Sequence, residues 1–281
     1  MDSPTLTCST RGMTTTLPGS ETQLYREIRG TGPAVLLIAG TPGDGGQLDE
    51  VADALAPART VLTYDRRGTS RSAAPDGWTS TSVAEQADDA AAIIRLAGAG
   101  PALVYGTSNG GAVALELTTR HPDVVRAVVV HEVPLVSVLA DPAPVGALLG
   151  SVIEGGMAAG GPRGGLEAFL RFAFGDDVVE AWAPDLRERT LANAEMVFGI
   201  ELPAFQPYRP DDAALQAVTV PVHIVIGEDQ QAPFFAEAAT WLAERCGTTV
   251  QRWPGAHGPQ FTCPQALAAA LRAVDLSADQ P

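Results

Sequence analysis

The chain has 281 residues, 46% of them hydrophobic, and a mean hydropathy of +0.09. This composition supplies enough apolar surface for a large buried core and argues against extensive disorder. A formal net charge of −15 repels phosphate backbones and anionic lipids, so we expect neither a nucleic-acid partner nor a membrane partner.

Cysteine content and the first residues bear on the location of the protein. Cys8, Cys246 and Cys263 are odd in number and lack the close pairing of zinc ligands. Residues 1–10 contain no basic segment followed by an apolar stretch, and no uninterrupted apolar run approaches the ~20 residues that cross a bilayer. We predict a soluble cytoplasmic protein with reduced thiols, and we include a homodimer among its expected assemblies.

In chain order, residues 23–29 alternate apolar and polar side chains and are predicted to pair with residues 6–15 as an antiparallel edge hairpin. After this hairpin, short β-branched runs alternate with segments of helical character. The predicted strands are 34–38, 60–64, 102–105, 124–130 and 222–226, and the predicted helices are 47–55, 82–96, 110–120, 234–245 and 264–274. This alternation indicates an α/β fold with a mostly parallel central sheet and helices on both faces.

The alternation of strands and helices stops between Pro134 and about Val218. Glycine pairs in this stretch separate helix-like pieces at 166–174 and 186–198. We interpret residues 135–218 as a helical cap, or lid, inserted into a core domain formed by residues 1–134 and 219–281.

The predicted strand at 102–105 leads into the sequence GTSNGG at 106–111 and then into an alanine-rich helix. The pattern G-x-S-x-G between a strand and a helix is typical of a nucleophile elbow. Small flanking residues are required there, because the serine occupies a sharp and strained turn. The start of the following helix also favours an anionic intermediate. The sequence therefore predicts Ser108 as a nucleophile.

A serine hydroxyl needs a base to accept its proton, and the chain has four histidines. His121 precedes a proline at a helix end, and His223 lies within a predicted buried strand. His131 ends another strand and is the second candidate. We favour His257, which follows a strand-like segment and a turn and precedes the last helix. The chain order serine, acid, histidine that results is the one expected with such an elbow.

The third member of a triad accepts the imidazole N–H and holds the required tautomer. Glu132 follows the predicted strand at 124–130, and Asp229 follows the strand at 222–226. We favour Glu132 and keep Asp229 as the alternative acid. Gln230, the next residue, is uncharged, and an amide cannot stabilise imidazolium as a carboxylate does.

An oxyanion hole needs two preorganised N–H donors. We assign them to the backbone of Asn109, directly after the nucleophile, and of Thr41, in the loop after the strand at 34–38. Gly40 and Pro42, in the same loop, are predicted to contact substrate. The charged loop at 65–72 is interpreted as a brace beneath the catalytic groups, with an anion site as the alternative.

These segments together resemble the α/β hydrolases over nearly the full chain. The resemblance rests on residues 40–43, 65–72, 106–111 and 254–257. In many α/β hydrolases the acid lies three residues after the glycine that ends the strand before it, which here is the position of Gln230. Residues 131–134, His-Glu-Val-Pro, are similar to a stretch of fungal zearalenone lactonases, whose acid is the glutamate. That similarity implies Glu132 as the acid here and a lactone as one substrate class.

The cap supplies apolar bulk where α/β hydrolases place their pocket, and we predict Trp182 and Phe198 as substrate contacts. No nucleotide-binding glycine motif and no H-E-x-x-H motif occurs, so we expect no cofactor and no metal. The sequence thus predicts hydrolysis of a small hydrophobic ester or lactone through an acyl-enzyme. The alternatives are other chemistry on the same fold, such as a C–C hydrolase, a perhydrolase or a biosynthetic cyclase, or a non-catalytic small-molecule binding protein.

Overall fold

The computed structural model describes residues 10–18 and 21–278, and within these ranges eight strands form one sheet. The strands are β1 (Thr10–Thr16), β2 (Gln23–Arg29), β3 (Ala34–Ile38), β4 (Thr60–Tyr64), β5 (Ala102–Thr107), β6 (Val125–His131), β7 (Val222–Gly227) and β8 (Val250–Trp253). They lie in the order β1-β2-β4-β3-β5-β6-β7-β8.

The sheet is mostly parallel. β1 pairs with β2 and β2 with β4 in antiparallel fashion, whereas the pairs from β4 to β8 are parallel. The predicted edge hairpin is confirmed for its described part, and its residues 6–9 lie outside the described ranges. Because parallel strands share one direction, the loops after β3, β5, β6 and β7 meet at the same edge of the sheet.

The described helices are α1 (Asp49–Leu55), α2 (Val83–Ala97), α3 (Asn109–Arg120), α4 (Ala143–Phe174), α5 (Asp176–Glu180), α6 (Pro184–Ala192), α7 (Ala194–Met196), α8 (Leu202–Phe205), α9 (Asp212–Gln216), α10 (Pro233–Arg245), α11 (Pro259–Thr262) and α12 (Pro264–Ala278). A π-helical turn, Val197–Glu201, joins α7 to α8. The helices predicted in the core agree with the observed ones to within a few residues, apart from the start of the first, which is a 3₁₀ turn at Gly45–Leu48.

Two apolar clusters show why the central strands are buried on both faces. In β3, Leu36 and Ile38 pack in one cluster with α2, α3 and α10, while Val35 and Leu37 pack in the other with α1 and α12. All five β3 side chains are buried. The prediction of an α/β-hydrolase fold with helices on both faces is confirmed.

Helices α4 to α9 lie between β6 and β7, where the sequence analysis expects the cap. They have an apolar cluster of their own, built around Leu166, Leu170, Leu191 and Val197. The exact division into a core and a cap at residues 135–218 stays a prediction.

One helix in the described ranges, α4, is long and apolar enough by length and composition to cross a membrane. Sequence analysis missed it, because Glu154 and several glycines interrupt its apolar run. The helix is kinked at Gly160 and Gly161, whose backbone angles are not helical, and Pro162 follows them. Neither of the two arms reaches the ~20 residues that a straight span needs.

Candidate active site

Ser108 occupies the turn between β5 and α3. Its backbone angles, φ 52° and ψ −132°, lie outside the regions that L-residues favour. The turn is held by two backbone hydrogen bonds, in which Ser108 N–H donates to the His131 carbonyl and Gly111 N–H donates to the Ser108 carbonyl, both at 2.9 Å. Strain that is held in place in this way is concentrated at functional sites.

The glycines around Ser108 are sterically required, as the elbow pattern predicts. A Cβ atom on Gly106 would lie 2.3 Å from the Gly110 carbonyl oxygen, and one on Gly110 would lie 2.4 Å from the Ile38 carbonyl oxygen. Both distances are far below van der Waals contact. Strand β5, helix α3 and the end of β3 can therefore approach one another only with glycine at these positions.

Glu132 and His257 form a direct hydrogen bond, 2.9 Å between Glu132 Oε2 and His257 Nδ1. Glu132 Oε2 also accepts from Gln230 Nε2 at 2.8 Å, and Oε1 accepts from Gly227 N–H at 2.7 Å. Burial by itself raises the pKa of Glu132, but the hydrogen bonds and the positive charge of a protonated His257 outweigh it and lower that pKa. Glu132 is therefore an ionised, triply hydrogen-bonded carboxylate.

Glu132 is also one of three described non-glycine residues with positive φ, at 47°, and Ser108 is another. A carboxylate only accepts hydrogen bonds, so the proton of neutral His257 lies on Nδ1 and leaves Nε2 as an acceptor. The imidazole stacks between Phe174 and Phe235, with ring centroids 5.8 and 4.8 Å away. These contacts hold the ring orientation that the base in a triad requires.

Ser108 and His257 line the same cavity, which has a volume of about 180 Å³. Within the described ranges no hydrogen bond joins Ser108 Oγ to the imidazole. Catalytic hydrogen bonds are often long before substrate binds, so the shared cavity is the relevant geometry. The structure thus brings together the three residues predicted as a triad.

The other histidines are placed elsewhere. His131, the second candidate base, is fully buried beneath the loop and stacks on Tyr105, and burial lowers its pKa to about 4. His121 lies at the end of α3 and pairs with Asp88 at 2.6 Å, while His223 accepts or donates a hydrogen bond with Gln251. None of the three lines the cavity of Ser108.

Asp229, the alternative acid, is exposed and makes no hydrogen bond to His257. Its backbone is held instead, with its N–H donating to the Gly255 carbonyl at 3.0 Å. Gln230 is the unexpected member of this loop. It fills the position where many α/β hydrolases carry the acid, and its amide group hydrogen-bonds to the carboxylate of Glu132.

The loop after β3 lies against Ser108, the predicted nucleophile. A Cβ atom on Gly40 would lie 2.8 Å from Ser108 Cβ, which shows how closely the two residues approach. The first N–H of a helix has no intrahelical acceptor, and within residues 10–18 and 21–278 no carbonyl accepts from the backbone N–H of Thr41 or Asn109. Both N–H groups are therefore free to bind an oxyanion.

Arg66 braces the loop from beneath, in the way predicted for residues 65–72. Its guanidinium is fully buried and donates to the carbonyls of Ala39 and Gly40, each at 3.2 Å. It also donates to Gln86 at 2.6 Å and to Glu201 at 2.5 Å. Sequence analysis missed Glu201, because it lies 160 residues from Thr41 and no local motif signals it.

The cavity of Ser108 is mainly apolar. Its lining includes Leu149, Ile153, Phe169, Phe172, Leu202 and Phe205 from the helices between β6 and β7. Phe234 and Phe235 of α10 line it from the core side. The volume far exceeds the ~30 Å³ that a water molecule occupies in the liquid, so an organic group can enter.

Trp182 and Phe198 do not line this cavity, and their role as substrate contacts stays a prediction. Trp182 packs against Phe174 and Phe261, with ring centroids 5.9 and 4.9 Å away, and Phe198 joins the apolar cluster of the inserted helices. The inserted helices need a core of their own, and these large side chains supply it. Gly40, Thr41 and Pro42 are buried in their loop and also lie outside the cavity lining, so the substrate contacts of Gly40 and Pro42 stay predictions.

Metal-ligating side chains are dispersed in the described part of the chain. No group of three or more His, Cys, Asp or Glu residues there is arranged to hold a metal ion. Cys246 and Cys263 are free thiols, and Cys8 lies outside the described ranges.

Comparison with known proteins agrees with the fold. A family model described as the alpha/beta hydrolase fold matches residues 33–153. The chain is similar in structure to a thermophilic esterase from Thermogutta terrifontis (TM-score 0.74, 22% identity, 96% of this chain and 100% of that one). It is also similar to the enol-lactonase from Burkholderia xenovorans LB400 (TM-score 0.73, 19% identity, 95% and 100%).

Two relatives are more similar in sequence but over shorter stretches. The uncharacterized hydrolase YraK of Bacillus subtilis is 37% identical over 123 residues, which are 44% of this chain and 45% of the relative. The putative carbamate hydrolase RutD of Azorhizobium caulinodans is 37% identical over 112 residues, or 40% and 42%. The chain thus matches less than half the length of these relatives. The structure and the comparisons agree on the α/β-hydrolase fold.

Proposed function

We propose that the protein is a serine hydrolase that cleaves a hydrophobic carboxylic ester or lactone through an acyl-enzyme. The observation that carries this proposal is the hydrogen bond from His257 to the buried Glu132, because the same imidazole lines the cavity that Ser108 lines. A serine on a strained elbow, an imidazole with a defined tautomer and a buried carboxylate are the parts that acyl transfer requires.

In the proposed first step, Ser108 Oγ attacks the substrate carbonyl carbon while His257 Nε2 takes the hydroxyl proton. Glu132 stabilises the imidazolium that forms, and the N–H groups of Thr41 and Asn109 bind the oxyanion. Collapse of the tetrahedral intermediate breaks the C–O bond to the leaving alcohol, and His257 returns the proton to that oxygen.

In the second step, His257 takes a proton from water, which attacks the acyl carbon. Collapse of the new tetrahedral intermediate breaks the C–O bond to Ser108, His257 gives its proton to Ser108 Oγ, and the acid product leaves. The apolar lining of the cavity supports a substrate whose acyl group or ring is a hydrocarbon. Such a group gains free energy when it displaces water from apolar side chains, whereas a polar group would find few hydrogen-bond partners there.

Carbamate hydrolysis is a second candidate, because this chain is similar over part of its length to the putative carbamate hydrolase RutD. It uses the same attack by Ser108 on a carbonyl with a nitrogen substituent. The two candidates differ in the leaving group and are separated by a panel of matched esters, lactones and carbamates.

The test is labelling and turnover. We expect a fluorophosphonate to label the wild type and chromogenic short-chain esters to be hydrolysed, with both signals absent in Ser108→Ala. An unlabelled wild type, inactive on the whole panel, would refute the proposal and favour a small-molecule binding protein. Labelling without hydrolysis of any member would instead point to other chemistry at Ser108. The lactone preference, the cytoplasmic location and the homodimer stay predictions.

A further inference from the structure

Glu201 is a buried carboxylate that the proposed reaction steps do not use. It ends the π-helical turn Val197–Glu201 and is 0% exposed. Its Oε1 atom accepts two short hydrogen bonds, from Thr41 Oγ1 at 2.6 Å and from Arg66 Nη2 at 2.5 Å. Inserted helices and the loop after β3 are thus joined directly beside the nucleophile.

The hydrogen bonds continue from Thr41 to Asn109. Asn109 Nδ2 donates to Thr41 Oγ1 at 2.7 Å, so the threonine hydroxyl accepts from Asn109 and donates to Glu201. One chain of hydrogen bonds therefore links Glu201 to both residues whose backbone N–H groups are proposed to bind the oxyanion. The hydroxyl of Thr41 is occupied by this chain, which leaves its N–H as the group for the substrate.

A buried ion pair between Arg66 and Glu201 needs an explanation other than stability. Desolvation of two charges offsets most of their attraction, so such a pair is weak evidence of stabilisation. Charge-assisted hydrogen bonds are nevertheless strong in directing geometry. Arg66 also holds the carbonyls of Ala39 and Gly40, so the pair anchors three consecutive residues of the loop, from Ala39 to Thr41.

The backbone conformation at Glu201 also supports a role beyond stability. π-helical turns within helices are uncommon and are frequent at functional sites. Leu202 and Phe205, on the helix that follows, line the cavity of Ser108, while Glu201 itself does not. A substrate held against α8 is therefore one residue away from the carboxylate that holds the oxyanion loop.

We propose that Glu201 is a positioning residue that sets the oxyanion hole through Thr41 and Asn109 and makes its geometry depend on the placement of the inserted helices. This inference rests on the proposed function. Arg66 balances the charge of Glu201, so the carboxylate can hold the loop without leaving an uncompensated negative charge beside the developing oxyanion.

The test compares Glu201→Gln with Glu188→Gln, a control at an exposed carboxylate of the inserted helices that pairs with Arg163. We expect Glu201→Gln to lower kcat for a short-chain ester about 10- to 100-fold, with KM within about twofold. The amide oxygen can still accept from Thr41 and Arg66, but the charge that directs these bonds is lost and the buried Arg66 is left without a counter-ion, so the loop can shift, and misplacement of about 1 Å costs on the order of 100-fold. Glu188→Gln should match the wild type.

Thr41→Val provides a second variant in case Glu201→Gln does not fold. It keeps the backbone N–H and the Arg66–Glu201 pair but removes the hydroxyl that links Glu201 to Asn109. We expect a similar loss in kcat, and a double variant that loses no more than about the larger single loss, because the two residues act in one chain.

Amide hydrogen exchange of a peptide spanning residues 36–45 reports on the loop without requiring turnover. We expect faster exchange in Glu201→Gln and Thr41→Val than in Glu188→Gln. A lower melting temperature, with kcat and exchange both unchanged, would show a purely structural ion pair and overturn the inference. If the wild type neither hydrolyses esters nor is labelled at Ser108, the proposed function fails, and the exchange comparison alone decides whether Glu201 orders the loop.

Discussion

The assignment of the acid can be decided by exchanging one carboxylate for an amide at each of two sites. In Glu132→Gln, an NH₂ group in place of Oε2 would face two donors, His257 Nδ1 and Gln230 Nε2. In place of Oε1 it would face one donor, the Gly227 N–H. The second orientation is therefore favoured, and the amide oxygen still accepts from His257.

The tautomer of His257 is retained in that orientation, but the negative charge that stabilises imidazolium is lost. Removal of the charge of a triad acid costs up to about 10⁴-fold in kcat. Because the hydrogen bond survives, we expect about 10³-fold for Glu132→Gln, which is ~4 kcal/mol of transition-state stabilisation. The unpaired Gly227 N–H should also lower the free energy of unfolding by about 1–3 kcal/mol.

The matched control is Asp229→Asn, which removes a carboxylate from the neighbouring loop. Its side chain is exposed and makes no hydrogen bond to His257, so we expect kcat within about threefold of the wild type. The assay is initial-rate hydrolysis of a chromogenic butyrate ester, with melting temperatures to exclude unfolding. A large loss in Asp229→Asn together with an active Glu132→Gln would refute the assignment.

Three further predictions address other parts of the molecule. Burial lowers the pKa of His131 from about 6.5 to about 4, so the unfolded chain takes up this proton before the folded protein does as the pH falls. His131 should therefore lower the free energy of unfolding by about 3 kcal/mol between pH 6.5 and 4. Denaturant unfolding of His131→Leu should show a pH dependence weaker by that amount over the same interval, and an unchanged pH dependence would contradict the prediction. Gly40→Ala places a Cβ atom 2.8 Å from Ser108 Cβ and should lower kcat at least about tenfold, whereas unchanged fluorophosphonate labelling kinetics would show that the loop yields freely. Phe169→Ala removes apolar lining of the cavity and should raise KM about tenfold for a hexanoate ester but little for an acetate, whereas an equal effect on both esters would place the acyl group elsewhere.

The local features of this protein were predictable from its sequence. Residues 34–38 and 60–64 form strands with the predicted bounds. Each is a short apolar run flanked by glycines or polar residues, and the length of such a run and the residues around it suffice to predict a buried strand. The elbow at Ser108 was also predictable from the sequence. Its glycines are required because a Cβ atom there would clash with backbone atoms of neighbouring residues and of the adjacent strand. The break in alternation also predicted that helices, rather than strands, lie between β6 and β7.

The tertiary structure alone decided which distant groups meet. Glu132 and His257 are 125 residues apart, and two loops offered a carboxylate; only the packing of β6 beside β7 directs one toward the imidazole and leaves Asp229 in solvent. Aromatic bulk in the inserted helices was visible, but whether Trp182 faces substrate or a neighbouring ring depends on how helices cross. Local pattern encodes which element forms and which side is apolar, whereas side-chain partners depend on long-range packing that no short stretch of sequence contains.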